Sequence, residues 1–246
     1  MPRTRSNSWR VLVMMLLVAG CRGASAPATA PTPRPGIVPI VIATARGDIA
    51  VALDSARAPN TVTNFLRYVD GGFFAGGRFH RTVTPDNQPR DSVRIEVIQG
   101  STRTMRPDSS FPPIALEKTG TTGLRHVDGT ISMARGGPNS ATSSFFLTIG
   151  AQPSLDEGGH RNLDLQGFAA FGRVTAGMDV VRAIQRAPHT EQNLTPPVAI
   201  QNIRRVFPKR TADPLQRGLA LSAFPRLVPL APNVYGYEEI RQPGFT

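Results

Sequence analysis

Apolar positions between residues 37 and 207 occur mostly in short runs, and their spacing predicts strands more often than helices. Two runs, 37–44 and 49–53, flank the turn residues Arg46-Gly47-Asp48 and predict a β-hairpin. Further runs predict strands at 78–83, 93–99, 130–135, 145–149, 168–174 and 198–207. Many short strands of this kind favour a β-barrel.

Two segments instead show the 3.6-residue spacing of a helix. In the first, Pro59 can occupy the first helical position, and Gly71-Gly72 ends the pattern. Its apolar residues recur at i, i+3, i+4 and i+7, namely Val62, Phe65, Leu66 and Val69. The second segment covers about 177–186, with Met178, Val181 and Ile184 facing inward. We expect these two helices to plug the barrel.

The last segment, 208–246, has a different composition from the rest. Prolines recur throughout it and interrupt every long candidate element. A short helix is predicted at 215–224, where Pro214 stands at its start. We interpret 208–246 as a Pro-rich extension, either a strap over the barrel or a mobile tail.

The first 36 residues lack the strand pattern of the barrel region, and their composition predicts that the protein is exported. Residues 1–20 combine three arginines with an apolar run at 11–19 that is shorter than the ~20 residues a membrane helix needs. The run ends in Val18-Ala19-Gly20-Cys21, which resembles the bacterial lipoprotein signal; the alternative is an ordinary signal peptide with an incidental cysteine. The resemblance implies lipidation of Cys21, with 21–36 as a Pro/Ala-rich tether. We therefore expect a lipid-anchored protein of the cell envelope, on the periplasmic face of a membrane if the cell has two membranes.

Composition narrows the function classes further. Hydrophobic residues make up 40% of the 246-residue chain, enough to bury a core. The single cysteine excludes an intrachain disulfide and a multi-cysteine metal site. The net charge is +11, but the arginines are scattered without interleaved aromatic residues, so we expect no nucleic-acid partner.

Three segments carry a more specific signal. They are Arg-Phe-His-Arg-Thr-Val at 78–83, Val-Ile-Gln-Gly at 97–100, and 130–146, which begins Thr-Ile-Ser-Met-Ala-Arg-Gly-Gly-Pro and ends Phe-Phe. In this order and spacing they resemble the cyclophilin family of peptidyl-prolyl isomerases. The helix at 59–66 and Phe-Gly-Arg-Val at 171–174 match as well, so the resemblance covers about 37–207.

The resemblance implies a fold and an activity. The fold is a mostly β protein, a closed eight-stranded antiparallel β-barrel capped by two α-helices, with a substrate groove on its outer wall. The activity is cis–trans isomerisation of X-Pro peptide bonds, here in exported proteins during folding. The partners are proline-containing segments of those proteins, and we expect a monomer. No metal and no cofactor is needed.

The resemblance also assigns roles to residues of the groove. Arg81 corresponds to the catalytic arginine, and Gln99 to a glutamine that hydrogen-bonds the substrate backbone. The backbone of Ala134 and Arg135 is expected to pair with the peptide, as in strand addition. Phe146 and Leu155 are expected to wall the proline pocket. Without the flanking motifs each residue would have an ordinary structural interpretation. Arg81 would be a solvated arginine and Gln99 a polar residue at the end of a strand. Phe146 and Leu155 would be part of the core.

The chain departs from the family pattern at several positions. An insert at 84–92 separates the arginine strand from the Gln99 strand, and Glu96 and Val97 stand where the family has a Phe and a Met. Val97 is therefore expected in the pocket, and one aromatic wall is missing. Ser154 replaces a tryptophan. Phe168, reached after a long loop, is expected to restore part of the aromatic surface. The thinner pocket leaves a second function open, that of a binding module that holds proline segments without useful turnover.

Overall fold

The computed structural model describes residues 35–88, 92–103 and 111–207, and the backbone of 226–231 and 234–238. The chain divides into two compact units, Met1–Thr32 and Pro33–Thr246. The first unit lies outside the described residues, and so do Cys21 and most of the predicted tether.

Nine antiparallel strands form the main sheet of the described residues. They are β1 (Ile37–Thr44), β2 (Gly47–Asp54), β3 (Gly77–Val83), β4 (Val97–Ser101), β5 (Thr130–Met133), β6 (Phe145–Thr148), β7 (Ala170–Ala176), β8 (His189–Thr190) and β9 (Asn193–Arg205). Eight of them follow the order β1-β2-β7-β5-β6-β4-β3-β9 around a ring, and β9 pairs with β1 to close the barrel. The remaining strand, β8, forms a short hairpin with the start of β9. The predicted barrel is confirmed.

Three α-helices accompany the barrel among the described residues, where two were predicted. Helix α1 (Pro59–Asp70) begins at its proline, and α3 (Met178–Gln185) follows β7, both as predicted. The third, α2 (Thr119–Thr122), is a single turn and has no apolar periodicity that the sequence could show. None of the helices in the described ranges has the length and apolarity needed to span a bilayer.

The hydrophobic core contains a cluster of aromatic rings among aliphatic side chains. Phe65 of α1 lies 5.1–5.5 Å, between ring centroids, from Phe74, Phe145 and Phe171. Gly100 of β4 is required for this packing, because a Cβ there would lie 3.0 Å from the Phe145 ring and 3.2 Å from the Phe79 ring. The Phe79 and Phe145 rings therefore occupy the space that a side chain at position 100 would need.

The largest differences from the predicted strand boundaries are the starts of β4 and β9. Strand β4 begins at Val97 rather than 93, because the buried Gln88 side chain hydrogen-bonds both the N–H and the carbonyl of Ile95. Strand β9 begins at Asn193 rather than 198. In the pairing of β9 with β3, Val198 and Asn193 have partners but the residues between them do not. Pro196 and Pro197 lie in this unpaired stretch, so their lack of a backbone N–H removes no hydrogen bond to β3.

The C-terminal extension contains a hairpin that was not predicted. Strands β10 (Arg226–Ala231) and β11 (Val234–Glu238) pair antiparallel with a register shift after Pro229. The predicted helix at 215–224 lies outside the described residues.

Candidate active site

A β-bulge in β3 places Arg81 on the outer wall of the barrel. Phe79 pairs with Gly100 and Arg81 pairs with Gln99, so His80 is the extra residue. In a regular strand Phe79, Arg81 and Val83 would share one face. Here Phe79 lies in the core, whereas Val83 belongs to an apolar cluster outside it. The bulge reverses the alternation, as such insertions do at functional sites.

The Arg81 guanidinium is held by two glutamines. Its Nη1 donates to Gln99 Oε1 at 3.0 Å, across the β3–β4 pair. Its Nε and Nη2 both donate to Gln192 Oε1, at 2.9 and 2.5 Å. The planar group is therefore fixed in orientation while it keeps its charge.

The sequence analysis did not identify Gln192. This residue lies between β8 and β9, and its side-chain N–H donates to the carbonyl of Asn87 at 3.1 Å. Asn87 in turn donates to the carbonyls of Thr82 and Glu191. Asn87, which belongs to the described part of the predicted insert, thus helps to position Gln192 against Arg81. A glutamine in a two-residue turn gives no pattern that would distinguish it from a solvated side chain.

Beside Arg81 lies a second apolar cluster, which we call the pocket cluster. It consists of Val83, Ile95, Val97, Phe146 and Leu155, with Ala134 and Phe168 partly buried at its edge. The structure thus brings together every apolar residue that the sequence placed in the proline pocket, and adds Val83 and Ile95. Gln99 joins the two parts of the site, because it pairs with Arg81 on one side and Phe146 on the other.

The Phe146 ring rests on a buried histidine. His126 stacks on it at 5.9 Å between ring centroids, with 16° between the planes. Its Nδ1 lies 2.7 Å from Asp156 Oδ1 and its Nε2 lies 2.9 Å from Ser132 Oγ. Burial alone would raise the pKa of Asp156, but the hydrogen bonds from the His126 side chain and backbone outweigh burial and lower it. The floor of the pocket is therefore a fixed polar network under an aromatic ring.

Arg135 has a second role that the sequence did not show. Its guanidinium forms two hydrogen bonds with Asp164, at 2.7 and 2.9 Å, and a third with the carbonyl of Gly167 at 2.8 Å. It also lies 5.1 Å from the centre of the Phe168 ring. The hydrogen bonds from Arg135 lower the pKa of Asp164 to about 2. This ion pair anchors the loop that delivers Phe168 to the pocket, where its ring lies edge-on to Phe146 at 5.4 Å.

The backbone at Ala134 and Arg135 forms the edge of the groove. Ala134 donates its N–H to the carbonyl of Ser144 at 2.9 Å. No described residue forms a hydrogen bond with the backbone N–H or carbonyl of Arg135. These groups are therefore available to pair with a peptide strand. Among the described residues, no group of three or more His, Cys, Asp or Glu side chains is arranged to hold a metal ion.

Known proteins match this chain over the barrel. A family model described as cyclophilin type peptidyl-prolyl cis-trans isomerase/CLD matches residues 39–205. Peptidyl-prolyl cis-trans isomerase A of Dickeya dadantii is 36% identical over 172 residues, which cover 67% of this chain and 83% of the relative. Peptidyl-prolyl cis-trans isomerase cyp18 of Streptomyces antibioticus is 38% identical over 145 residues, covering 58% and 80%.

Solved structures show the same fold. The crystal structure of a cyclophilin type peptidyl-prolyl cis-trans isomerase of Cryptosporidium parvum superposes with a TM-score of 0.57 at 20% identity, covering 70% of this chain and 99% of the other. A second structure of that protein, determined in the presence of the dipeptide Ala-Pro, has the same TM-score and covers 69% of this chain.

Proposed function

Because the chain belongs to the family of cyclophilin-type peptidyl-prolyl cis-trans isomerases, we propose that Arg81 is the residue with which it accelerates rotation about X-Pro bonds of exported proteins. The observation that carries this proposal is the fixed guanidinium of Arg81, bound to Gln99 and Gln192, beside the pocket cluster.

The chemistry of rotation explains why a fixed arginine suffices. Rotation about an X-Pro bond breaks amide resonance and has a barrier of ~18–20 kcal/mol. In the twisted state the prolyl nitrogen recovers its lone pair and can accept a hydrogen bond. A guanidinium donates that bond without losing its charge. Because the bond forms mainly in the transition state, it lowers the barrier rather than the ground state.

The remaining residues bind the peptide. The pocket cluster receives the prolyl ring and excludes water from it, and His126 supports its floor. Gln99 accepts from Arg81 with its Oε1, so its amide N–H groups remain to donate to a peptide carbonyl. The backbone of Arg135 pairs with the peptide strand. The Cryptosporidium parvum structure determined in the presence of Ala-Pro supports this class of ligand.

The setting of the activity is also part of the proposal. Spontaneous X-Pro isomerisation takes tens to hundreds of seconds, so it can limit the folding of exported proteins. Lipidated Cys21 would hold the barrel at the membrane through the 21–36 tether. Cys21→Ser should move the protein from the detergent phase to the aqueous phase of a detergent extraction. Continued membrane association of this variant would contradict the lipid anchor.

A protease-coupled assay on a proline peptide tests the enzymatic proposal. The parent should accelerate isomerisation, and Arg81→Ala should lose about ten- to a hundredfold in kcat/KM, because a hydrogen bond from a charged group contributes about 1.5–3 kcal/mol. Arg78→Ala, on the exposed face of the same strand, is the matched control and should retain activity. Full activity of a folded Arg81→Ala variant would contradict the mechanism. A parent that binds peptides without turnover would favour a binding module.

A further inference from the structure

The loop between the Pro153–Leu155 turn and β7 exposes two leucines beside the groove. Leu163 is fully exposed and Leu165 is 45% exposed, although most large apolar side chains among the described residues are buried. They flank Asp164, the residue that binds Arg135. The loop therefore presents an apolar tip on either side of the carboxylate that binds the Arg135 side chain.

This tip is held in place rather than left free. The N–H of Gly158 donates to the carbonyl of Leu165 at 2.8 Å, and the N–H of Leu165 donates to the carbonyl of Asn162 at 3.0 Å. Arg161 Nη1 ties the loop to the carbonyl of Val93 at 2.7 Å. Leu165 has a φ of +57°, a left-handed conformation that is uncommon for an apolar side chain. Unfavourable backbone of this kind persists where the surroundings hold it, and it concentrates at binding sites.

The tip is linked to the proline pocket through Arg135. Arg135 binds both Asp164 and the carbonyl of Gly167, and its guanidinium lies against Phe168. Phe168 meets Phe146 inside the pocket cluster. One arginine thus connects the peptide-pairing strip, the pocket wall and the leucine tip. A peptide residue next to the proline would lie within reach of the same loop.

We propose that Leu163 and Leu165 form an apolar subsite that selects clients with an apolar side chain adjacent to the isomerised proline. This subsite rests on the proposed function, since it presumes that the peptide lies along Arg135. Because hydrogen bonds already hold the backbone of the loop, little backbone freedom is lost when its leucines contact a peptide, which favours affinity. The contact discriminates an apolar neighbour from a polar one by the apolar area it buries.

Two pairs of proline peptides test the subsite. Within each pair the peptides differ only in Leu or Ser, placed directly before the proline in one pair and directly after it in the other. The variant Leu163→Ser/Leu165→Asn removes the apolar tip, and asparagine tolerates the left-handed backbone at 165. Phe207→Ser is the matched control, because Phe207 is also an exposed apolar residue, at 75%, and lies outside the site.

The measured quantity is the Leu/Ser ratio, obtained both as kcat/KM and as peptide affinity by calorimetry. The parent should prefer Leu about three- to tenfold in at least one pair. The double variant should reduce that ratio to less than about twofold, and Phe207→Ser should keep it. Absence of preference in both pairs, or a preference that survives in the folded double variant, would overturn the subsite. A parent without turnover would overturn the enzymatic proposal instead, while the affinity ratio still decides the subsite.

Discussion

Phe145 and Phe146 are neighbours on one strand, yet they lie on opposite sides of the barrel wall. Phe145 is fully buried and packs against Phe65, Phe74 and Phe79 in the interior. Phe146 lies in the pocket cluster, between His126 and Phe168. The side chains of a strand alternate in direction, so two identical residues serve two different regions.

The two regions differ in size and in the burial of their edge residues. The members of the inner cluster are buried within the barrel and against its helices. The pocket cluster is smaller, and its edge consists of the partly buried Ala134 and Phe168. We infer that the inner region determines stability and the outer region determines peptide binding.

Removal of the inner ring should have the largest effect of all. Phe145→Ala leaves a cavity among three rings and should lower the free energy of unfolding by about 3–5 kcal/mol. Chemical denaturation measures this change. A cost below ~1 kcal/mol would show that the interior is not the close-packed region described here.

Removal of the outer ring should separate binding from stability. Phe146→Ala removes a wall of the pocket and should raise KM for a proline peptide about tenfold, because the prolyl ring then buries less apolar surface on binding. Its cost in the free energy of unfolding should be clearly smaller than that of Phe145→Ala. If the two variants are equally destabilised and KM stays constant, the division between inner and outer regions is wrong.

The next smaller effect concerns the orientation of Arg81. Gln192→Met keeps the length of the side chain but removes the acceptor for two donors of Arg81. We expect a fall in kcat of about five- to tenfold with KM within about twofold, since the groups that bind the peptide remain. Gln201→Met, on an exposed position of β9, is the control. A change in KM alone would indicate that Gln192 contacts the peptide instead of positioning Arg81.

The smallest effect concerns the loop that completes the outer region. Asp164→Asn weakens the anchor of Phe168 and should raise KM about two- to threefold. The pKa of Asp164 is lowered from 3.8 to about 2, so its ion pair stabilises the folded state fully above the unfolded pKa and is lost as the pH falls through about 2.

The same ion pair predicts a pH dependence. The difference in the free energy of unfolding between the parent and Asp164→Asn should be constant from about pH 5 to 8 and shrink toward about pH 2. A difference that instead grows on acidification would contradict the assignment of the ion pair.

The same comparison separates what the sequence could predict from what it could not. The apolar run at 145–149 and the helical spacing after Pro59 are local, so the barrel strands and both capping helices were predicted. The motifs also named Arg81, Gln99 and Phe146. The local backbone that turns Arg81 outward was not predicted, because simple alternation would place Arg81 inside with Phe79. Only the register against β4 reveals the bulge at His80 that turns it outward.

The pairs that complete the outer region are non-local. Gln192 meets Arg81 across 111 residues of sequence, and Asp164 meets Arg135 across 29. No periodicity or spacing encodes such pairs. The strand boundaries at 97 and 193 were missed for a related reason, since a buried glutamine side chain and a shift of register replace regular ladder pairing there.

The central claim is that Arg81 acts on the twisted peptide bond while the pocket cluster holds the ring. Exchange NMR on a saturating proline peptide measures this most directly, because it gives the isomerisation rate on the enzyme separately from the affinity. For Arg81→Ala we predict a rate about ten- to a hundredfold below that of the parent, with the affinity changed less than about threefold. An unchanged rate on the enzyme, or an effect confined to affinity, would contradict the account.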